Sequence, residues 1–206
     1  MRKIYVVGDN TEYANWMEGE ITNDMKEAYL VVFTGGEDVS PSLYGEHKHP
    51  STYSDMSRDV YEMEMYEDAI QMGIPCIGIC RGNQFLSVMN GASLIQHQLN
   101  PSYKHKMTTY DGKELIVTSS HHQAAFPFNL PTNKYKLLAW TENISPYHEN
   151  SKQEEMNPPV EVEAIYFPKT RCLGIQGHPE WQLEDKETIN WCRQLLNTLL
   201  NEQSDF

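Results

Sequence analysis

The chain has 206 residues, 39% of them hydrophobic and 22% charged, an ordinary globular balance that fits one compact domain over residues 1–206. A formal charge of −13 and a pI near 5.0 argue against a nucleic-acid partner, and the only local basic cluster is Lys104-His105-Lys106. No apolar run approaches the roughly 20 residues of a membrane span. The run after Arg2-Lys3 is too short for a signal peptide, so a cytoplasmic location is expected.

In chain order, apolar or β-branched runs predict strands over 3–7, 29–33, 76–79, 114–119, 134–140, 160–167 and 172–175. Between the second and third lies RDVYEMEMYEDAIQMGIP. Asp59 there is an N-cap candidate with Glu62 three residues on. Met63, Tyr66 and Ile70 share a face, and Gly73-Ile74-Pro75 stops the helix. Residues 82–93 predict a second helix with Phe85, Val88 and Met89 inward. Ile189, Cys192, Leu196 and Leu199 mark an amphipathic helix near the C-terminus. Strand-helix alternation in the first half implies parallel pairing, whereas 103–170 is strand-rich and adds antiparallel pairs at an edge. Residues 145–159 read as an exposed loop. The fold class is α/β: a doubly wound, mostly parallel sheet. Ligands in such sheets bind outside the carboxyl ends of the strands. That places Thr34-Gly35-Gly36, Cys80 and Gln176-Gly177-His178 at one edge.

Gly78-Ile79-Cys80-Arg81-Gly82 has the form of a nucleophile elbow, with sulfur where the serine version has oxygen. The small neighbours let a helix pack behind a strained turn. The helix N-terminus is expected to lower the thiol pKa, and the Arg81 N–H points where an oxyanion would form. The alternative is a buried core cysteine in a glycine-rich turn. A thiol needs a base, and the base an orienting acceptor. His178-Pro179-Glu180 offers both. Alone it also reads as a surface turn; beside the elbow it completes a Cys-His-Glu triad. The Gly35-Gly36 turn can supply a second oxyanion N–H, or be only a glycine turn after a strand. The four cysteines form no CxxC pair and no histidines have zincin spacing, so neither metal nor organic cofactor is expected.

Six stretches in sequence order then carry a resemblance: GGEDVSPSLYGE, SRDVYE, GICRGNQ, TSSHHQA, VEAIYF and GHPEW. Together they resemble the class I glutamine amidotransferase-like superfamily, closest to the γ-glutamyl hydrolase group (peptidase family C26), which includes γ-glutamyl-GABA hydrolases. The resemblance implies a flavodoxin-like hydrolase of γ-glutamyl amides or glutamine. It implies Cys80 as nucleophile, His178 as general base and acid, Glu180 as its orienting group, and Gly36 and Arg81 as oxyanion-hole donors. Gln84, His121, Ser120, Gly35 and Arg58 would serve the substrate. Ser119, His122 and Gln123 belong to the same SxHHQ motif, the last two as packing or loop-bonding residues. Departures are a trimmed crossover over 8–29, Thr34 for proline, Glu37 for a third glycine and Thr118 for asparagine. Three functions stay open: a stand-alone γ-glutamyl amide hydrolase, a glutaminase subunit feeding ammonia to a separate synthetase, and an idle binding protein on the same fold.

Overall fold

The computed structural model describes residues 2–99, 104–118, 120–142 and 144–201. Strands are β1 Lys3–Val7, β2 Glu20–Ile21, β3 Leu30–Phe33, β4 Cys76–Ile79, β5 Ser93–Ile95, β6 His97–Gln98 and β7 Lys104–Thr109. They continue with β8 Glu114–Thr118, β9 Ala124–Phe126, β10 Lys136–Thr141, β11 His148–Glu149, β12 Glu161–Phe167 and β13 Cys172–Ile175. The helices are α1 Met56–Gln71, α2 Arg81–Met89 and α3 Lys186–Leu200. Nine strands form one sheet in the order β2-β1-β3-β4-β13-β12-β10-β7-β8. From β2 to β13 every pairing is parallel, and from β13 outward every pairing is antiparallel. This is a flavodoxin-like α/β sheet with an antiparallel extension, as the alternation of runs predicts.

The central strands β3, β4 and β13 are buried at every position, so both sheet faces must be covered. On one face α1 and α2 bring Tyr66, Ala69, Phe85, Leu86 and Val88 against Phe33, Val31 and Cys76. On the other, α3 brings Ile189, Trp191, Cys192, Leu195, Leu196 and Leu199 against Ile4, Val32, Ile77 and Ile175. Among the described residues no helix is long and apolar enough to cross a membrane.

Three local expectations are corrected. Helix α1 starts at Met56, and Asp55 is its N-cap, accepting from the Ser57 N–H at 2.8 Å. Asp59 lies inside the first turn with its carboxylate fully buried, because it serves the neighbouring loop and helix: it accepts from Ser40 N–H at 3.0 Å and pairs with Arg81. Residues 145–159 are only partly a loop. His148 is buried on Glu161 at 2.9 Å, and β11 pairs with β6. Helix α2 ends at Met89, four residues short of the predicted limit, where Asn90 and Gly91 fold back onto it. The segment 8–29 does hold β1 and β3 in parallel, through the 3-10 turns Thr11–Ala14 and Met25–Glu27 rather than a long helix.

Candidate active site

Because β3, β4 and β13 run parallel and adjacent, their carboxyl ends deliver Thr34-Gly35-Gly36, Cys80 and Gln176 to one edge. Cys80 is the N-cap of α2 with φ 53° and ψ −109°, a conformation outside the ordinary wells for a non-glycine residue. Such strain costs on the order of 1–3 kcal/mol and persists only where the surroundings impose it. Here the Cys80 N–H donates to Ile175 O at 2.8 Å, and its carbonyl accepts from Gln84 N–H at 3.2 Å. The flanking glycines answer to close approach. A Cβ on Gly78 would fall on the Gly82 carbonyl, and one on Gly82 would fall on the Phe33 carbonyl. Strand, elbow and helix therefore pack backbone to backbone.

The thiol is 7% exposed, and burial pushes its pKa from 9.0 up to about 12. The Arg81 N–H pulls it down, but the carboxylates of Glu180, Asp38 and Glu163 push it further up. The expectation that the helix N-terminus lowers this pKa is thus overturned: desolvation of the thiolate outweighs the helix end. Gln176 Nε2 lies 3.8 Å from Sγ as a donor, with its Oε1 held by Asn83 Nδ2 at 3.0 Å.

His178 and Glu180 are both buried, and His178 Nδ1 lies 2.6 Å from Glu180 Oε1. Their turn is anchored to the antiparallel extension, since the His178 N–H donates to Thr118 O at 2.9 Å. Glu180 fixes Nδ1, leaving Nε2 buried and without a hydrogen-bond partner among the described residues. A buried unsatisfied ring nitrogen is costly unless a ligand or reacting group completes it. The His178 ring is stacked by Trp181 and has Tyr13 as a second, tilted aromatic neighbour.

A cavity of about 170 Å³ opens on Cys80 and is lined by Gly36, Glu37, Asp38, Tyr53, Arg81, Gln84, Ser120, His121, His122 and Gln123. Of the residues implied for substrate, Gln84, Ser120 and His121 are here; Gly35 and Arg58 are not. Arg58 instead donates to Gly35 O at 2.9 Å and to Glu62 Oε1 at 2.8 Å, tying the glycine turn to α1. Gly36 has φ +136°, and a Cβ there would strike that guanidinium. The Arg81 guanidinium is buried on Asp59 and Glu62. Burial and neighbouring Arg58 lower its pKa to about 10, so it stays charged at neutral pH. Gln84 donates to Gln123 O at 2.8 Å. Burial lowers the His121 pKa to about 4, leaving a neutral ring whose Nδ1 lies 2.9 Å from Gln123 O. His122 sits 3.2 Å from Asp38, and Gln123 bonds Thr52 at 3.0 Å, while both also line the cavity. Ser119 falls outside the described residues. A larger cavity of about 340 Å³ lies near Arg2, Tyr29, Arg193 and Leu196, at the amino ends of the strands and away from the thiol.

Sequence reasoning assigned nothing to Gln176, Tyr13 or Trp181. Gln176 and Trp181 flank the His-Pro-Glu signal and were within reach. Tyr13 comes from an irregular 3-10 turn with no periodicity to mark it. Its hydroxyl is pushed up to about 12 by burial and by the nearby Glu180 and Cys80.

Comparison with known proteins supplies an independent line. The sequence profile of the family described as Peptidase C26 matches residues 17–180. The Protein NtpR of Enterococcus hirae is 31% identical over 168 residues, covering 73% of this chain and 66% of that protein. The γ-glutamyl-γ-aminobutyrate hydrolase PuuD of Escherichia coli K12 is 27% identical over 157 residues, 70% of this chain and 60% of that one. The chain spans about half to two thirds of the length of the curated relatives it matches. Among solved structures, a glutamine amidotransferase from Thermotoga maritima superimposes with a TM-score of 0.58 at 17% identity, over 97% of this chain and 94% of that one. That likeness establishes the fold.

Proposed function

The chain belongs to the peptidase C26 family, and from that premise we propose that it hydrolyses a γ-glutamyl amide through a thioester on Cys80. The observation that carries this reading is a strained, buried thiol at the same sheet edge as a His178–Glu180 pair whose Nε2 is unoccupied. Similarity to a γ-glutamyl-γ-aminobutyrate hydrolase supports the γ-glutamyl side of the substrate.

In this mechanism Cys80 Sγ attacks the γ-carbonyl carbon while its proton passes to His178 Nε2. The raised thiol pKa means the proton leaves during the attack, not before it. The backbone N–H groups of Arg81 and Gly36 take the oxyanion, each worth roughly 10²–10³ in rate. Collapse breaks the C–N bond, His178 protonates the leaving nitrogen, and the amine departs. Water, losing a proton to His178, then attacks the thioester; glutamate leaves and Sγ recovers its proton. Glu180 holds the ring tautomer with the proton on Nδ1 and stabilises the imidazolium that forms twice per cycle. The scheme uses neither metal nor organic cofactor.

Glutamate release by purified protein, wild type beside Cys80→Ala, tests this on glutamine and a panel of γ-glutamyl amines. Fast cleavage of one γ-glutamyl amine that vanishes in Cys80→Ala supports the hydrolase. Turnover of glutamine alone, stimulated by a synthetase, would instead assign a glutaminase subunit. Activity unchanged in Cys80→Ala would end the thioester mechanism.

A further inference from the structure

The contact that the mechanism above does not use is the one on the face of its base. Trp181 stacks on the His178 imidazole with ring centroids 3.6 Å apart and planes 7° from parallel. The Tyr13 ring is a more distant neighbour, its centroid 6.2 Å away and its plane tilted by 49°. The stack follows from local geometry. Pro179–Trp181 is a single 3-10 turn, closed by the Trp181 N–H on His178 O at 3.1 Å. In a 3-10 turn the side chains of residues i and i+3 eclipse, so position 181 is laid over position 178.

Core packing does not account for this tryptophan. It belongs to neither hydrophobic cluster and is 47% exposed, while its buried face meets a catalytic-site ring. The torsion that turns an imidazole about its Cβ–Cγ bond is broad, with no sharp minimum of its own. The Glu180 hydrogen bond holds one ring atom and leaves rotation about that contact soft. A parallel indole removes that remaining freedom and so fixes the plane in which Nε2 lies. The electron-rich face of an indole also attracts a cation, so the same contact favours the imidazolium formed as the thiol proton transfers.

We propose that Trp181 is a positioning residue, whose indole fixes the plane of the His178 imidazole and favours its protonated form during Cys80 attack. The proposal rests on the assignment of His178 as base. Trp181→Leu is expected to lower kcat on the best γ-glutamyl substrate about tenfold, ~1.4 kcal/mol in barrier, with KM little changed. Trp181→Phe, which retains an aromatic face, is expected to recover most of the loss.

Proton NMR of protein carrying isotope-labelled histidine supplies the readout that a merely structural role would not move. The His178 ring protons, identified by their absence in His178→Asn, lie over the indole face and are shielded by it. Trp181→Leu should shift them downfield and leave the resonances of His49 and His148 in place. Three results would overturn the proposal, each recognisably. Unchanged His178 resonances in Trp181→Leu would deny the stack. Lost stacking with full kcat would deny the positioning role alone. A wild-type protein with no Cys80-dependent glutamate release would remove the hydrolase reading and this role with it.

Discussion

The raised pKa of Cys80, the proposed nucleophile, makes a sharp kinetic prediction. An ordinary thiol at 9.0 is roughly one-tenth thiolate at pH 8, whereas a thiol at about 12 is roughly 10⁻⁴ thiolate. The cause is desolvation: Cys80 is 7% exposed, and Glu180, Asp38 and Glu163 surround it with negative charge that one Arg81 N–H offsets only in part. Alkylation of Cys80 by iodoacetamide in the substrate-free protein should therefore be slow at pH 8. Its rate should climb about tenfold per pH unit through pH 10 without levelling. Steric shielding also slows a buried thiol, but by a factor independent of pH, so the slope decides. Rates would be read by tandem mass spectrometry, whose fragment ions separate Cys80 from Cys76 on their shared peptide, while Cys172 and Cys192 fall on other peptides. A plateau between pH 6 and 8 would refute the reasoning, since it would mean a preformed thiolate paired with imidazolium.

Glu180→Gln keeps a hydrogen-bonding side chain but removes the charge opposite the imidazolium; kcat should fall about 10²–10⁴-fold, measured by glutamate release. Gly82→Ala would drive a Cβ into the Phe33 carbonyl and should cost about 3 kcal/mol or more, read as a lowered urea midpoint. Arg81→Met strips Asp59 of its buried cation while Glu62 keeps Arg58, and should destabilise by about 3–5 kcal/mol in urea unfolding. Asp59→Asn added to it should recover part of that loss, because the uncompensated charge is gone. Cys192 in α3 is also pushed from 9.0 to about 12 by burial. Its stability contribution is whole below pH 9 and lost as pH rises toward 12, because the unfolded chain deprotonates first. Cys192→Ala should flatten that alkaline decline in thermal melts.

Much of this protein was written locally. The strands over 3–7, 76–79 and 172–175 coincide with β1, β4 and β13, because a continuous apolar run bounded by polar or glycine residues has few other ways to be buried. The elbow and the His-Pro-Glu turn were equally plain, since a glycine-flanked thiol after a strand and a histidine two residues from a carboxylate are short-range patterns. Family resemblance added the roles proposed for them. Other features had no local signal. Asp59 reads as a helix cap on its own segment, yet its carboxylate is taken by Arg81, 22 residues away on the next helix. Gln176 reaches the Cys80 sulfur across 96 residues of chain, through the parallel register of β4 and β13. The thiol's protonation depends on how completely three segments exclude water, a quantity that no sequence window contains. The sequence by itself marked which groups are candidates for the chemistry and which runs make strands. Only the tertiary structure decided which side chains come together at the sheet edge, how dry they are, and that Trp181 lies flat on His178, because burial and cross-sheet register are properties of the folded whole.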